Sequence, residues 1–208
     1  MSKCFILLVL ISLITALSAN PVNLSLRTGM ILPDDGLDNG LITGLTLGYE
    51  IFPAIEAQLS IDYHQQNSLL TRKLIQTATP YESSNELSDV KLNIIPISFN
   101  VQHNFSLTPR IIPIIGAGLG MSFLREEVTP LNIELEDEFE SFEDYSGLNA
   151  LIWTGFKYDL SPKLNFLSKV FYRHNELKST IALKTFGHIE NKQNVSGMGA
   201  NLGIEYSF

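Results

Sequence analysis

Apolar side chains occupy every second position in the last stretch of the chain, residues 196–208. One face carries Met198, Ala200, Leu202, Ile204, Tyr206 and Phe208, and the other face is mostly glycine. Because successive side chains of a strand point to opposite faces, this period of two predicts a β-strand with one apolar and one nearly empty face. A wall between lipid and a crowded lumen explains both faces. The alternative is the last strand of a soluble sandwich or barrel.

The same alternation recurs along the whole chain. It predicts strands at 23–30, 41–52, 55–64, 90–105, 111–123, 148–160, 163–175 and 196–208. Short connections at Pro53, Thr108 and Ser161 alternate with longer polar segments at 33–40, 65–89, 124–147 and 176–195. An even number of strands, each of about ten residues, matches what tilted crossings of a membrane need. The pattern therefore predicts an all-β, eight-stranded antiparallel up-and-down transmembrane β-barrel with periplasmic turns and extracellular loops.

The amino terminus predicts an export signal. Lys3 precedes an apolar run over 4–17, and the small residues Ala16 and Ser18 then suit a signal peptidase. We expect residues 1–19 to be cleaved and residues 20–208 to form one barrel domain in the outer membrane of a diderm bacterium. Cys4 is the single cysteine and lies in the signal, so the mature chain is predicted to hold no disulfide and no thiolate site.

The net charge of −8 comes from one segment. Nine of the 22 acidic residues lie between Glu126 and Asp144, which leaves 13 acids against 14 bases elsewhere. No basic patch with interleaved aromatic residues is present, so nucleic acid is not expected as a partner. The four histidines offer no pair at ligand spacing, and a solvated charge run is the preferred interpretation of the acidic segment, with Ca²⁺ binding as the alternative. We expect neither a metal nor a cofactor.

Three hairpins resemble a known group. Residues 48–59 are similar to the first periplasmic hairpin of OmpW-type and related small outer-membrane barrels, residues 95–105 with 110–120 to the middle hairpin, and residues 155–158 with 172–173 to the third. Opacity-type and OmpA-type barrels share much of this pattern. The resemblance implies a narrow apolar lumen that passes small hydrophobic molecules, with lateral release into the membrane. It also implies that the terminal Tyr206 and Phe208 are a signal for the barrel-assembly machinery.

Ionisable residues at the positions predicted to face the lumen are concentrated in the predicted periplasmic half of the barrel. Most of the 14 glycines also lie at such positions and leave room for bulky groups, since eight strands enclose little space. Three bases and four acids so close together should pair and block flow. This predicted ionic plug consists of Arg27, Glu50, Glu56, Lys157, Asp159, Lys163 and Glu205.

Toward the outside the inward residues become apolar, with Asp62, His64 and Arg173 nearer the rim. Trp153 should lie beside Gly116 and Gly118, just above the plug. The predicted apolar constriction consists of Trp153, Leu151, Phe171, Leu92, Ile94 and Ile42. The alternative is an interior that is merely packed.

Two functions follow from the pattern. The first is a monomeric, narrow OmpW-like channel, surrounded by outer-membrane lipids, for a small hydrophobic solute. The second is a surface-exposed structural or adhesin barrel whose loops bind a host or envelope partner without transport. An enzyme is not expected, because lipid deacylases of this architecture use a serine two residues after a histidine, whereas His174 is followed by Asn175 and Glu176.

Overall fold

In the part of the chain that the structure describes, nine antiparallel β-strands form one sheet that closes on itself. The computed structural model describes residues 22–34, 38–73, 85–108, 110–130, 141–183 and 187–208. The strands are β1 (Val22–Pro33), β2 (Gly40–Phe52), β3 (Ile55–Lys73), β4 (Asn85–Asn104), β5 (Ile111–Pro130), β6 (Ser141–Ser161), β7 (Leu164–Leu183), β8 (Gly187–Asn194) and β9 (Gly197–Ser207). The predicted signal peptide lies outside the described residues.

Neighbouring strands pair around the ring from β1 to β7, and β9 closes it by pairing with both β7 and β1. Strand β8 pairs with the outer part of β7, and an interruption at Val195 and Ser196 separates it from β9. The two are segments of one wall element. The prediction of an eight-stranded antiparallel barrel is therefore confirmed.

Side chains alternate between a buried lumen and an exposed apolar exterior. Leu26, Leu119 and Leu148 on the outer surface are 66%, 71% and 75% exposed. A continuous band of Leu, Ile, Val, Met and Phe faces outward in this way, as lipid requires of a barrel wall. The three short connections are also confirmed, at Pro53–Ala54, at 105–110 and at 162–163.

The strands are longer than the alternation predicts. Residues 65–73, 85–89, 124–130, 141–147, 176–183 and 187–194 are strand, although we expected loops there. Strand β6 has 21 residues, which at about 3.3 Å per residue gives roughly 69 Å along the strand. A tilt near 40° makes this about 50 Å of height, twice the usual apolar band of about 25 Å. Outward residues above that band meet water and need not be apolar, so the period of two fades while the backbone pairing continues.

No helix among the described residues is long and apolar enough to cross a membrane.

Candidate functional site

The barrel lumen is lined by the buried side chains of all the strands. Glycines on one strand accept bulky groups from the next: Gly116 pairs with Trp153 across β5 and β6, and a Cβ at Gly116 would overlap the indole ring. The carboxylate of Glu56 occupies the equivalent space at Gly48. The sequence prediction that Trp153 lies beside Gly116 therefore agrees with the structure.

Three residues of the predicted ionic plug come together near the end of the barrel that carries the short turns. Lys157 Nζ donates to Glu56 Oε2 at 3.0 Å and to the two oxygens of Glu205 at 2.8 and 3.0 Å. The amides of Gln58 and Asn165 donate to the same carboxylates, to Glu56 and Glu205 respectively. Lys157, Glu56 and Glu205 are 4%, 1% and 2% exposed, so water screens them little. We call these three residues the lysine cluster.

The other four predicted members of the plug lie elsewhere. Lys163 is exposed in the turn after β6, and Asp159 is half-buried near that turn. Glu50 accepts a hydrogen bond from the backbone amide of Ala54 in the first turn, at 3.3 Å. Distance from a turn does not give the direction of a side chain at the end of a strand, where the wall opens to solvent. These three residues, and also Arg27, were predicted to belong to the plug but do not join the lysine cluster.

Arg27 belongs to a second ionic group, centred on Asp62. Its Nη2 donates to Asp62 Oδ1 at 2.6 Å, and Arg173 Nη2 donates to Asp62 Oδ2. All three side chains are at most 7% exposed. We call them the aspartate cluster. Gly44 makes room for it, since a Cβ there would overlap the Asp62 carboxylate and approach Arg27 Nε. The sequence placed Asp62 and Arg173 nearer the rim and missed this pairing.

The predicted apolar constriction separates into two groups. Trp153, Leu151, Phe171 and Ile42 pack with Ile31 in one cluster, which we call the tryptophan cluster. Leu92 and Ile94 lie in an outer apolar cluster with Val90, Leu124, Tyr145, Leu177 and Val195. An apolar solute arriving from the outer end would therefore meet two apolar layers in succession.

Lys169 lies between the tryptophan cluster and the lysine cluster. Its Nζ donates to Gln102 Oε1 at 3.0 Å and sits 5.1 Å from the centre of the Trp153 ring. The indole Nε1 donates to the same oxygen at 3.3 Å. An ammonium over an indole face is held by a cation–π attraction. The alternation along β7 predicts that Lys169 points into the lumen, but the sequence does not predict that Gln102 on β4 accepts its hydrogen bond.

A small cavity remains at mid-height of the lumen. The aspartate cluster, Lys169 and the tryptophan cluster line it, together with the amides of Gln58, Asn100 and Asn201. Water-sized spheres can place their centres in about 10 Å³ of it, which is room for one water molecule. At this height the described side chains leave no wider opening.

Charged groups also mark the outer extension of the wall. Arg125 Nε and Asp144 Oδ1 form an exposed ion pair at 3.0 Å between β5 and β6. That hydrogen bond lowers the pKa of Asp144 and raises the pKa of Arg125. Burial, helped by the carboxylates of Glu126 and Glu143, raises the pKa of Tyr145, so its phenol stays neutral at physiological pH. Most of the predicted acidic segment, 131–140, lies outside the described residues.

A serine does lie beside His174, contrary to what its sequence neighbours indicated. Ser196 Oγ is 3.2 Å from His174 Nδ1. The hydroxyl donates to Asn194 Oδ1 at 2.6 Å and accepts the backbone N–H of Asn175 at 2.9 Å. Because Ser196 is only 3% exposed, this arrangement bridges the interruption between β8 and β9 and presents no accessible nucleophile. No described residues form a group of three or more His, Cys, Asp or Glu side chains suited to a metal.

The last strand, β9, pairs with β1 and β7, and two aromatic rings lie on the outer face at its carboxy-terminal end. Tyr206 and Phe208 face outward, 41% and 68% exposed, and their ring centres are 5.0 Å apart in an edge-to-face contact. The backbone N–H of Phe208 donates to Val22 at 3.0 Å. Their role in assembly stays a prediction.

Solved structures with the same arrangement come from several outer-membrane proteins. Outer membrane protein OprG from Pseudomonas aeruginosa matches with a TM-score of 0.58 and 18% identity over 91% of this chain and 96% of its own. Neisserial surface protein A matches with a TM-score of 0.54 and 17% identity over 92% and 98%. The fold is that of the eight-stranded outer-membrane β-barrels. AlkL, solved in lipid bilayers, matches with a TM-score of 0.50 and 16% identity over 91% and 90%. No family model and no curated protein sequence matches the chain.

Proposed function

We propose that this chain is an outer-membrane barrel that forms a narrow passage for small hydrophobic molecules, as OmpW-type barrels are thought to do. The outward apolar band and the barrel fold support insertion into a membrane. The predicted export signal supports the outer membrane as its location. In this proposal the short turns are periplasmic and the extended strand ends are extracellular.

The order of inward groups carries the proposal. From the outer end, a solute meets the outer apolar cluster, then the tryptophan cluster beside the Asp62 ion pairs, and finally the lysine cluster. An apolar solute gains by entering the first layer, because apolar surface leaves water. Ions and polar solutes gain nothing there and meet a closed ionic group below. The arrangement thus favours apolar solutes at the entrance.

Passage requires motion, because the cavity at mid-height holds about one water molecule. Trp153 fills the lumen at this level and is 6% exposed. On the outer surface, a groove of about 840 Å³ is lined by apolar and aromatic residues, Tyr63, Ile95, Phe123, Leu124 and Tyr145, and by the charged residues Lys91, Arg125, Glu127 and Asp144. Lateral release would bring the solute out at this groove, at the outer edge of the apolar band.

Replacement of Trp153 tests the passage directly. Trp153→Ala should raise uptake of an apolar solute into liposomes and raise conductance in planar bilayers, at a stability cost of about 3–5 kcal/mol. Ile152→Ala is the matched control, since Ile152 is the next residue, faces outward and is 59% exposed. Lower stability with wild-type permeability would show that Trp153 only packs the lumen and would remove this mechanism.

A second function, a surface module that binds a partner without transport, is favoured by the height of the wall. Strands of 19 to 21 residues continue well past the nine to eleven that a crossing needs. Exchanging residues 131–140 and 184–186 for short Gly-Ser linkers should abolish binding to cells or envelope components and leave solute uptake at its original level. Loss of uptake with intact binding would reverse the assignment.

A further inference from the structure

The buried ionisable groups of the middle and lower lumen do not balance. Among the described residues the buried cations number four and the buried carboxylates three: Arg27, Lys157, Lys169 and Arg173 against Glu56, Asp62 and Glu205. Glu126 is also buried, but it lies eight residues farther out along β5 than Gly118, at the level of the outer apolar cluster, where it pairs with Leu92. An uncompensated buried charge is costly, so the surplus calls either for a bound anion or for loss of the proton of Lys169.

The surplus lies around the mid-height cavity. The lysine cluster holds two carboxylates around one ammonium, so it carries no excess of cations. The cavity, in contrast, is lined by three cations, Arg27, Lys169 and Arg173, with Asp62 as the single lining carboxylate. The excess at the cavity wall is two positive charges, and the net excess of the lumen region is one.

Several donors on these cations have no acceptor. Within the described part of the chain, Arg173 Nε, Arg173 Nη1 and Arg27 Nε lack hydrogen-bond partners, although Arg173 is only 1% exposed. Lys169 Nζ has the neutral oxygen of Gln102 as its hydrogen-bond acceptor. Buried donors are nearly always satisfied in native proteins, so these groups indicate an occupant that accepts hydrogen bonds.

We propose that this cavity binds one small monovalent anion of halide size. Arg173 and Lys169 would hold it, with Asp62 keeping the guanidinium of Arg173 in place. The free volume admits one particle of about the size of a water molecule, which excludes phosphate and the carboxylate of a chain-bearing solute. The proposal does not depend on whether the lumen conducts.

A water molecule is the competing occupant. The side-chain oxygens of Gln58, Asn100 and Asn201 also line the cavity without donors, and a water could bridge them to the arginines. Charge favours the anion, because the attraction between opposite unit charges is only weakly screened in a closed lumen. With water in the cavity the surplus charge is removed only if Lys169 loses its proton, whereas a halide compensates the charged lysine.

Bromide and the single tryptophan give two direct measurements. Crystals of the full barrel grown in bromide should show an anomalous peak in the cavity between Arg173 and Lys169. Trp153 lines the same cavity and is the sole tryptophan, so bromide, which is also a heavy-atom quencher, should quench its emission with a saturating dependence at constant ionic strength. Halide at a hundredfold excess over Kd should raise the Tm by about 5–10 °C relative to sulfate.

Two variants identify the residues that hold the anion. Arg173→Met removes two of the three free donors, and Lys169→Met removes the surplus charge while keeping the approximate length of the side chain. Each should lose the anomalous peak and the saturating quench, whereas Arg125→Met, at an exposed ion pair outside the lumen, should keep both. An empty or water-filled cavity in wild-type crystals, with linear or absent quenching, would overturn the proposal. Retention of bromide by both variants would do so as well, and the wild-type result decides if neither variant folds.

Discussion

Removing the ammonium of Lys157 should destabilise the barrel strongly. Lys157 Nζ makes three contacts of 2.8–3.0 Å with Glu56 and Glu205. At an effective dielectric constant of about 20, each of the two charge pairs is worth roughly 5–6 kcal/mol. Desolvation of the three ions offsets most of this gain, at several kcal/mol per ion. Lys157→Met leaves both carboxylates buried without a cation, so we expect a loss of about 3–5 kcal/mol.

Neutralising the carboxylates should recover most of that loss. The triple variant with Glu56→Gln and Glu205→Gln buries no charge in the lysine cluster, and replacement of a whole buried ion group is often neutral. Urea unfolding in lipid vesicles measures both variants, with Trp153 emission as the reporter from inside the lumen. Asp159→Asn is the control, because Asp159 lies two residues along the same strand and outside the cluster.

Additive stability losses from the three substitutions would refute this reasoning. If Lys157→Met costs under about 1 kcal/mol, or if the glutamine substitutions add their own losses to it, then the lysine cluster does not behave as one electrostatic unit. An increase in conductance of Lys157→Met, reversed in the triple variant, would further support closure of the passage by this cluster.

Three other outcomes are expected. Gly44→Leu should destabilise the barrel by about 1–3 kcal/mol in urea unfolding, because the new side chain would overlap the Asp62 carboxylate and displace its ion pairs; an unchanged midpoint would contradict the close packing at this site. Deletion of Phe208 should reduce insertion more than export, measured by heat-modifiable mobility on gels, and normal folding in cells would count against an assembly role. Protease added to intact cells should cut within 131–140 and spare the 162–163 turn, and the reverse pattern would invert the proposed topology.

The period of two was sufficient to predict the barrel and the number of wall elements. It depends on lipid outside and a crowded lumen inside, so it identifies a strand only where both are present. Residues 65–68 and 71–73 are polar on successive positions, and Leu69 and Leu70 between them do not alternate either, yet the whole stretch pairs with β4 from Gln65↔Asn93 to Lys73↔Asn85. Above the membrane the outward constraint is absent, and the pairing that extends the strand there is not encoded by alternation.

The sequence predicted which side chains point into the lumen better than it predicted their height along the barrel axis. Phase placed Glu56, Lys157 and Glu205 inward, and they do meet. Arg27 was assigned to the same level because it lies near the start of its strand, but the register places it opposite Gly44, which is itself opposite Asp62. Closing a barrel requires tilted, staggered strands, so equal distance from a turn does not mean equal height across the lumen.

Backbone pairing joins neighbouring strands, whereas the two ionic clusters join strands that are not neighbours, and both clusters include a carboxylate of β3. Glu56 reaches Lys157 on β6, and Asp62 reaches Arg27 on β1 and Arg173 on β7. The ladder between β3 and β4 passes from Ile61↔Ile97 to His64↔Ile94 and skips Asp62 and Tyr63.

Pro96 lies at that gap, and its missing N–H removes one ladder donor. Pro113 on β5 also lacks a backbone donor. It lies nine residues along β5 from Ser122, the partner of Pro96, so the two missing donors are not side by side. β3 is thus weakly paired toward β4 at the same level where its carboxylate holds the lumen together. Widening the lumen must separate Asp62 from its arginines, and that separation displaces β3 at the point where its backbone resists least.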